Sequence, residues 1–148
     1  PLPAAVFLLP PPPHYPARAV ALPPAPFRLC YLAFLFMPVA GPYYEFPRPD
    51  AWFLDNPMAR LVYGVLDQGS SYGAAFPSSH VAATVAATAG AWLGSRALGL
   101  GLLVPTALLT VGVVYCQMHY AVDALAGLAV AALVVAGWVA AERRLARA

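Results

Sequence analysis

Ser78, Ser79, His80, His119 and Asp123 are the residues of this 148-residue chain whose types and spacing could do chemistry. They fall in two short polar stretches set in apolar sequence, Phe76-Pro77-Ser78-Ser79-His80 and Tyr115 to Asp123. His119 and Asp123 are spaced i, i+4, as neighbours on a helix face are, so the carboxylate could orient the imidazole and stabilise its cationic form. Ser78 reads as the N-cap of a helix beginning at Ser79, with Pro77 keeping the chain from being helical earlier. A helix N-terminus presents free N–H groups and the positive end of the dipole, a natural phosphate site, and His80 in the first turn would face an anion held there. Together these parts suit phosphoryl transfer, one histidine attacking phosphorus and the other protonating the leaving oxygen. A single histidine in such a setting more often just packs, but an intramembrane Asp beside a His is costly and points to function.

The intervening sequence explains how the two stretches could meet. An apolar run from Val81 to Gly94, a break at Ser95-Arg96 and a second run from Ala97 to Cys116 separate them. With the residues that flank them, about sixteen out and about twenty-two back, these give about 24 Å and 33 Å at ~1.5 Å per helical residue, close to the ~30 Å core of a bilayer. A hairpin of two spans would therefore bring His80 and His119 to one membrane surface. Along the first of these runs Ala82, Ala86, Gly90 and Gly94 recur every four residues, a ridge that allows close helix approach, although Ala-rich composition alone would produce it as readily.

Composition agrees with a membrane setting. The chain is 61% hydrophobic and 9% charged, against the ~25% charged of an ordinary soluble domain, and reads as an all-α, multi-pass transmembrane bundle. Its eight cations are all arginines and are dispersed, giving no basic footprint for nucleic acid. Cys30 and Cys116 lie in apolar runs and read as buried thiols rather than a disulfide framework. The partner expected from composition is the bilayer, with no nucleic acid and no cofactor; a homo-oligomer stays open.

Three regions follow. Residues 1–26 hold ten prolines, fit no spanning helix and no clear signal peptide, and are left unassigned; His14 there reads as a solvated or interfacial side chain. Starting at Pro1, the chain reads as a fragment or as one whose amino-terminal part is wrongly delimited. Residues 27–141 form the membrane core, with about four spans: 27–41, 79–94, 97–116 and 120–141. The connection 42–76 mixes aromatics with charge, as at a membrane interface, and contains a short amphipathic helix capped by Asn56 with Pro57 at its first turn. Residues 142–148 are a basic tail. Arg18, Arg28, Arg96, Arg143, Arg144 and Arg147 fall opposite the histidines and only Arg48 and Arg60 beside them, which puts the site outside the cytoplasm, on the outer side of an inner or plasma membrane.

Pro77-Ser78-Ser79-His80 and His119-x-x-x-Asp123 resemble the paired motifs Pro-Ser-x-His and Ser-Arg-x5-His-x3-Asp of the type 2 phosphatidic acid phosphatase superfamily, with a similar interval between the histidines. The resemblance covers roughly residues 27–141. It implies a six-helix membrane core of which this chain would hold the last four spans, acting on a lipid phosphate substrate without a metal. It also implies His119 as the nucleophile, Asp123 as its relay partner, His80 as the acid for the leaving group and Ser78 as a phosphate contact; Ser79, next to it, is read as a second phosphate contact. Gly112 and Val113 stand where the motif has Ser-Arg, and of Lys-x6-Arg-Pro only Arg48-Pro49 is met, with Gly41 at the lysine position. Arg48 and Arg60 remain as cations for the phosphate, supported by the helix dipole, and Arg48 is taken as the candidate. Lack of an arginine at 113 is similar to the inositol phosphorylceramide synthase branch, whose members transfer a phospho-headgroup between lipids. Two other readings are a zinc-dependent hydrolase with His80, His119 and Asp123 as ligands, and a non-catalytic, truncated relative that only packs in a membrane assembly.

Overall fold

A computed structural model describes residues 22–147; His14, Arg18 and most of the proline-rich segment lie outside them. Among the described residues seven helices follow in order: α1 Pro24–Phe36, α2 Pro42–Glu45, α3 Ala51–Leu54, α4 Pro57–Gly69, α5 Ser79–Gly94, α6 Arg96–Tyr115 and α7 Ala121–Leu145. Among the described residues the one β-type pairing is a parallel bridge between Val39 and Ala74. The fold of the described residues is all-helical, as the sequence predicts.

The bundle is built around α5, against which α6, α7 and α1 all pack. Its buried residues include Ser79, Val81, Ala82, Ala86, Thr88, Gly90 and Ala91, so most of the ridge read from the sequence faces protein; Gly94, at the end, is exposed. Small residues let the backbones come close. A Cβ on Gly127 of α7 would lie 2.6 Å from the Ser78 carbonyl oxygen, and one on Gly99 of α6 2.6 Å from the Trp92 Cα, so neither position admits a side chain without movement. Thr88 and Thr106 are hydrogen-bonded at 2.6 Å between α5 and α6, so neither hydroxyl is stranded in the apolar interior.

Large apolar side chains point the other way. Leu100, Leu103, Val104, Leu108 and Val111 of α6 and Leu125 and Leu133 of α7 are exposed, while the buried residues of α5, α6 and α7 are, apart from Ser79 and Asp123, Ala, Gly, Thr and Val. A water-soluble bundle inverts this order; lipid tails accept it, because leucine gains nothing by leaving them. Two helices, α6 and α7 with 20 and 25 residues, are long and apolar enough to cross a membrane. α5 has 16 residues and α1 13, or about 24 Å and 20 Å, so the other two expected spans are short. α1 also differs from the expected 27–41: Pro24 is accommodated in its first turn, and Pro38 lies just past its end.

The connection between α1 and α5 lies at one end of the bundle. Asn56 caps α4 by accepting from the Met58 N–H at 2.9 Å, as read from Asn56-Pro57. Tyr63 and Leu66 form its buried side and Met58, Leu61 and Val65 its exposed apolar face.

Candidate active site

α5 and α6 form the hairpin that the apolar runs call for, and its open end carries the site. His80 is exposed in the first turn of α5, and His119 is buried in the turn between α6 and α7. Their ring centroids are 5.9 Å apart, although 39 positions separate them in the chain. Asp123, in the first turn of α7, is almost wholly buried, and its Oδ2 lies 3.7 Å from His119 Nδ1. The two imidazoles and the carboxylate are thus brought together.

The carboxylate is nevertheless not the hydrogen-bond partner of His119, since 3.7 Å exceeds a hydrogen bond. Nδ1 instead meets the Ala75 carbonyl oxygen at 2.8 Å. A carbonyl only accepts, so Nδ1 carries the proton and Nε2 the lone pair. Asp123 Oδ2 accepts from the Tyr120 N–H at 2.7 Å, the backward half of a capping box at the start of α7. Asp123 is therefore a helix cap as well as a charge beside the ring. Burial pushes the His119 pKa down from the ordinary histidine value to about 4, opposed by the bond to Ala75 and reinforced by His80 nearby. The ring is neutral at pH 7.

Ala75 went unnoticed in the sequence because a backbone carbonyl has no residue signature. Its position follows from the Val39 bridge: the Val39 N–H donates to the Gly73 oxygen at 3.2 Å and the Ala75 N–H to the Val39 oxygen at 3.1 Å. Gly73, at φ +83°, makes the bend before it. The chain leaving α1 thereby holds the loop that orients His119.

Ser78 caps α5 as expected, its Oγ accepting from the Val81 N–H at 3.4 Å, and its own N–H donates to the Asp123 backbone carbonyl at 2.9 Å. The helical ladder of α5 begins with the Ala82 N–H on the Ser78 oxygen, so the Ser79 and His80 N–H groups precede it and remain beside the histidines for an anion. Both serines are buried, which favours these backbone groups over their side chains as anion donors.

Arg48 is engaged by Asp67 and Tyr43. Its guanidinium is 2.5 Å from Asp67 Oδ1 and 3.1 Å from the Tyr43 hydroxyl, and Tyr43 in turn donates to Asp67. The hydrogen-bonding pulls the Asp67 pKa below the usual carboxylate range, first through Tyr43 and then through Arg48. The two motif departures also have structural reasons. Val113 is buried against Val81 and Ala124, where an arginine would bury its charge among apolar groups. A Cβ at Gly41 would lie 2.6 Å from the Met118 carbonyl oxygen, leaving no space for a lysine. Among the described residues no group of three His, Cys, Asp or Glu side chains is arranged to hold a metal ion.

The family model of the PAP2 superfamily matches residues 27–147. The chain belongs to the PAP2 superfamily. No curated protein and no solved structure gives a significant match to it. Membership makes the chain a membrane helical protein and an enzyme of the phosphatase kind, acting on phosphate esters by hydrolysis or phosphotransfer.

Proposed function

We propose that this PAP2 protein hydrolyses or transfers the phosphate or phospho-headgroup of a lipid phosphate ester through a phosphohistidine on His119. One observation carries the reading: the His119 Nδ1–H is held by the Ala75 carbonyl, which leaves the Nε2 lone pair available beside His80. The phosphate sits at the N-terminus of α5, against the Ser79 and His80 N–H groups. His119 Nε2 attacks phosphorus as the ester P–O bond breaks, and His80 gives its proton to the departing lipid alkoxide. The imidazolium character that develops on His119 is stabilised by Asp123 and by the Nδ1–H bond to Ala75. His80, now neutral, takes a proton from water or from a second alcohol, whose oxygen attacks phosphorus and frees His119 Nε2. Exposure of His80 supports this second role, because the acceptor has to reach it.

No step calls on a metal, so activity should survive exhaustive chelation. Valine at 113 instead of arginine favours the branch that transfers headgroups, since one cation for a free phosphate dianion is missing. The arginine distribution favours a site on the outer side of an inner or plasma membrane. Incubation with lipid phosphates labelled in the phosphate tests the reading. An acid-labile, base-stable phosphoenzyme that disappears in His119→Ala is expected, with label passing to water or to an added lipid alcohol. Full turnover by His119→Ala would overturn it.

A further inference from the structure

The turn that carries His119 contains a backbone outlier. Gln117 has φ of 58°, the left-handed region, at the position just past a helix end where glycine is usual. Around it the Gln117 N–H donates to the Val114 oxygen at 3.1 Å, and the Met118 and His119 N–H groups both converge on the Val113 oxygen, at 3.0 Å and 2.9 Å. A non-glycine residue held there costs on the order of 1 kcal/mol. The side chain is engaged: Gln117 Oε1 accepts from the Tyr63 hydroxyl at 3.2 Å, across 54 positions of sequence. Tyr63 is 4% exposed on the inner side of α4, so its hydroxyl needs a partner, and the partner is two residues from His119.

We infer that Gln117 and Tyr63 form a positioning pair, by which the surface helix α4 holds the 116–120 turn in the register that presents His119 to His80. The inference rests on His119 being the nucleophile. Glycine at 117 would relieve the backbone but release α4; glutamine keeps the strain and gains the tether, as constrained positions beside functional groups do. Neither residue has to touch substrate. α4 is otherwise tied near its carboxyl end to α2 and the loop after it, through Tyr43 and Arg48 on Asp67 and through Tyr44 on Ser70. Tyr63 carries that anchorage into the bundle.

The test uses the full chain with two probes, phosphatidic acid in mixed micelles and para-nitrophenyl phosphate, on Gln117→Gly, Tyr63→Phe and the double variant. Each single change should lower kcat on the order of 10- to 100-fold with KM unchanged, as a small misplacement of a reacting group does. The double variant should lose no more than either single one, because both remove the same contact. In Gln117→Gly the relieved backbone offsets the lost Tyr63 bond, so the melting temperature should stay close to that of the wild type, which separates lost positioning from lost stability; if Tyr63→Phe does not fold, Gln117→Gly decides alone. Unchanged kcat in Gln117→Gly, or losses that multiply in the double variant, would overturn the pair. Wild-type protein that turns over neither probe and forms no phosphoenzyme with the labelled lipid phosphates would sink the phosphohistidine reading beneath it, whereas wild-type turnover with unaltered variants would sink the pair alone.

Discussion

At the residue scale, the division of labour around His119 is finer than its spacing to Asp123 suggests. The Ala75 carbonyl sets the tautomer, and Asp123 supplies charge at 3.7 Å while capping α7. His119→Ala should abolish phosphate release, a loss on the order of 10⁴-fold or more. Asp123→Asn keeps an oxygen for the Tyr120 N–H but removes the charge; kcat should fall on the order of 10- to 100-fold, with the melting temperature little changed. Equal activity in that variant would reduce Asp123 to a cap. The pH dependence follows from the low His119 pKa. The nucleophile remains unprotonated down to about pH 4, so the acid limb of kcat/KM that it causes should lie near that value rather than near the ~6.5 of free histidine. The unfolded chain takes up this proton first. Stability should therefore decline as pH falls from about 6.5 towards 4 and be fully present above that window.

At the scale of elements, the site depends on how closely α7 approaches the start of α5. Gly127, under the Ser78 carbonyl, is the contact point, and Gly99 against Trp92 does the same for α6 at the other end of α5. Gly127→Ala should destabilise the protein by about 1–3 kcal/mol through overpacking and disturb the Ser78 N–H bond to Asp123, read as a lower melting temperature together with lower kcat. Gly112→Ala is the control: nothing lies within 4 Å of its Cβ, and by helix propensity it should be neutral or stabilising by up to about 1 kcal/mol. The same geometry accounts for Val113, which completes an apolar cluster with Val81 and Ala124.

At the scale of the whole molecule, the exposed leucines and valines of α6 and α7 and the interior of small residues are arranged for lipid. The arginines Arg96, Arg143, Arg144 and Arg147 lie at the end away from the histidines, and Arg48 and Arg60 at the same end as them. With Cys30 and Cys116 replaced by serine, a single cysteine at Gln68 should react with a membrane-impermeant maleimide on intact cells. One at Arg147 should react only after permeabilisation. The reverse pattern would place the site in the cytoplasm.

Much of this was legible in the chain itself. The apolar runs dictate helices, the Ser-Arg break dictates a hairpin, and Ser78 and Asn56 announce the starts of α5 and α4, because helix periodicity and capping are local properties. The two histidines and Asp123 could be singled out for the same reason: titratable groups are conspicuous in apolar sequence. Tertiary structure alone decided that Ala75 holds His119, that Arg48 turns to Asp67, that Gly41 and Val113 exclude the cations a motif would place there, and that Tyr63 reaches Gln117. Each is a contact between segments far apart in sequence, made through a backbone carbonyl, a steric limit or a left-handed turn, and none of these is encoded by residue type at one position.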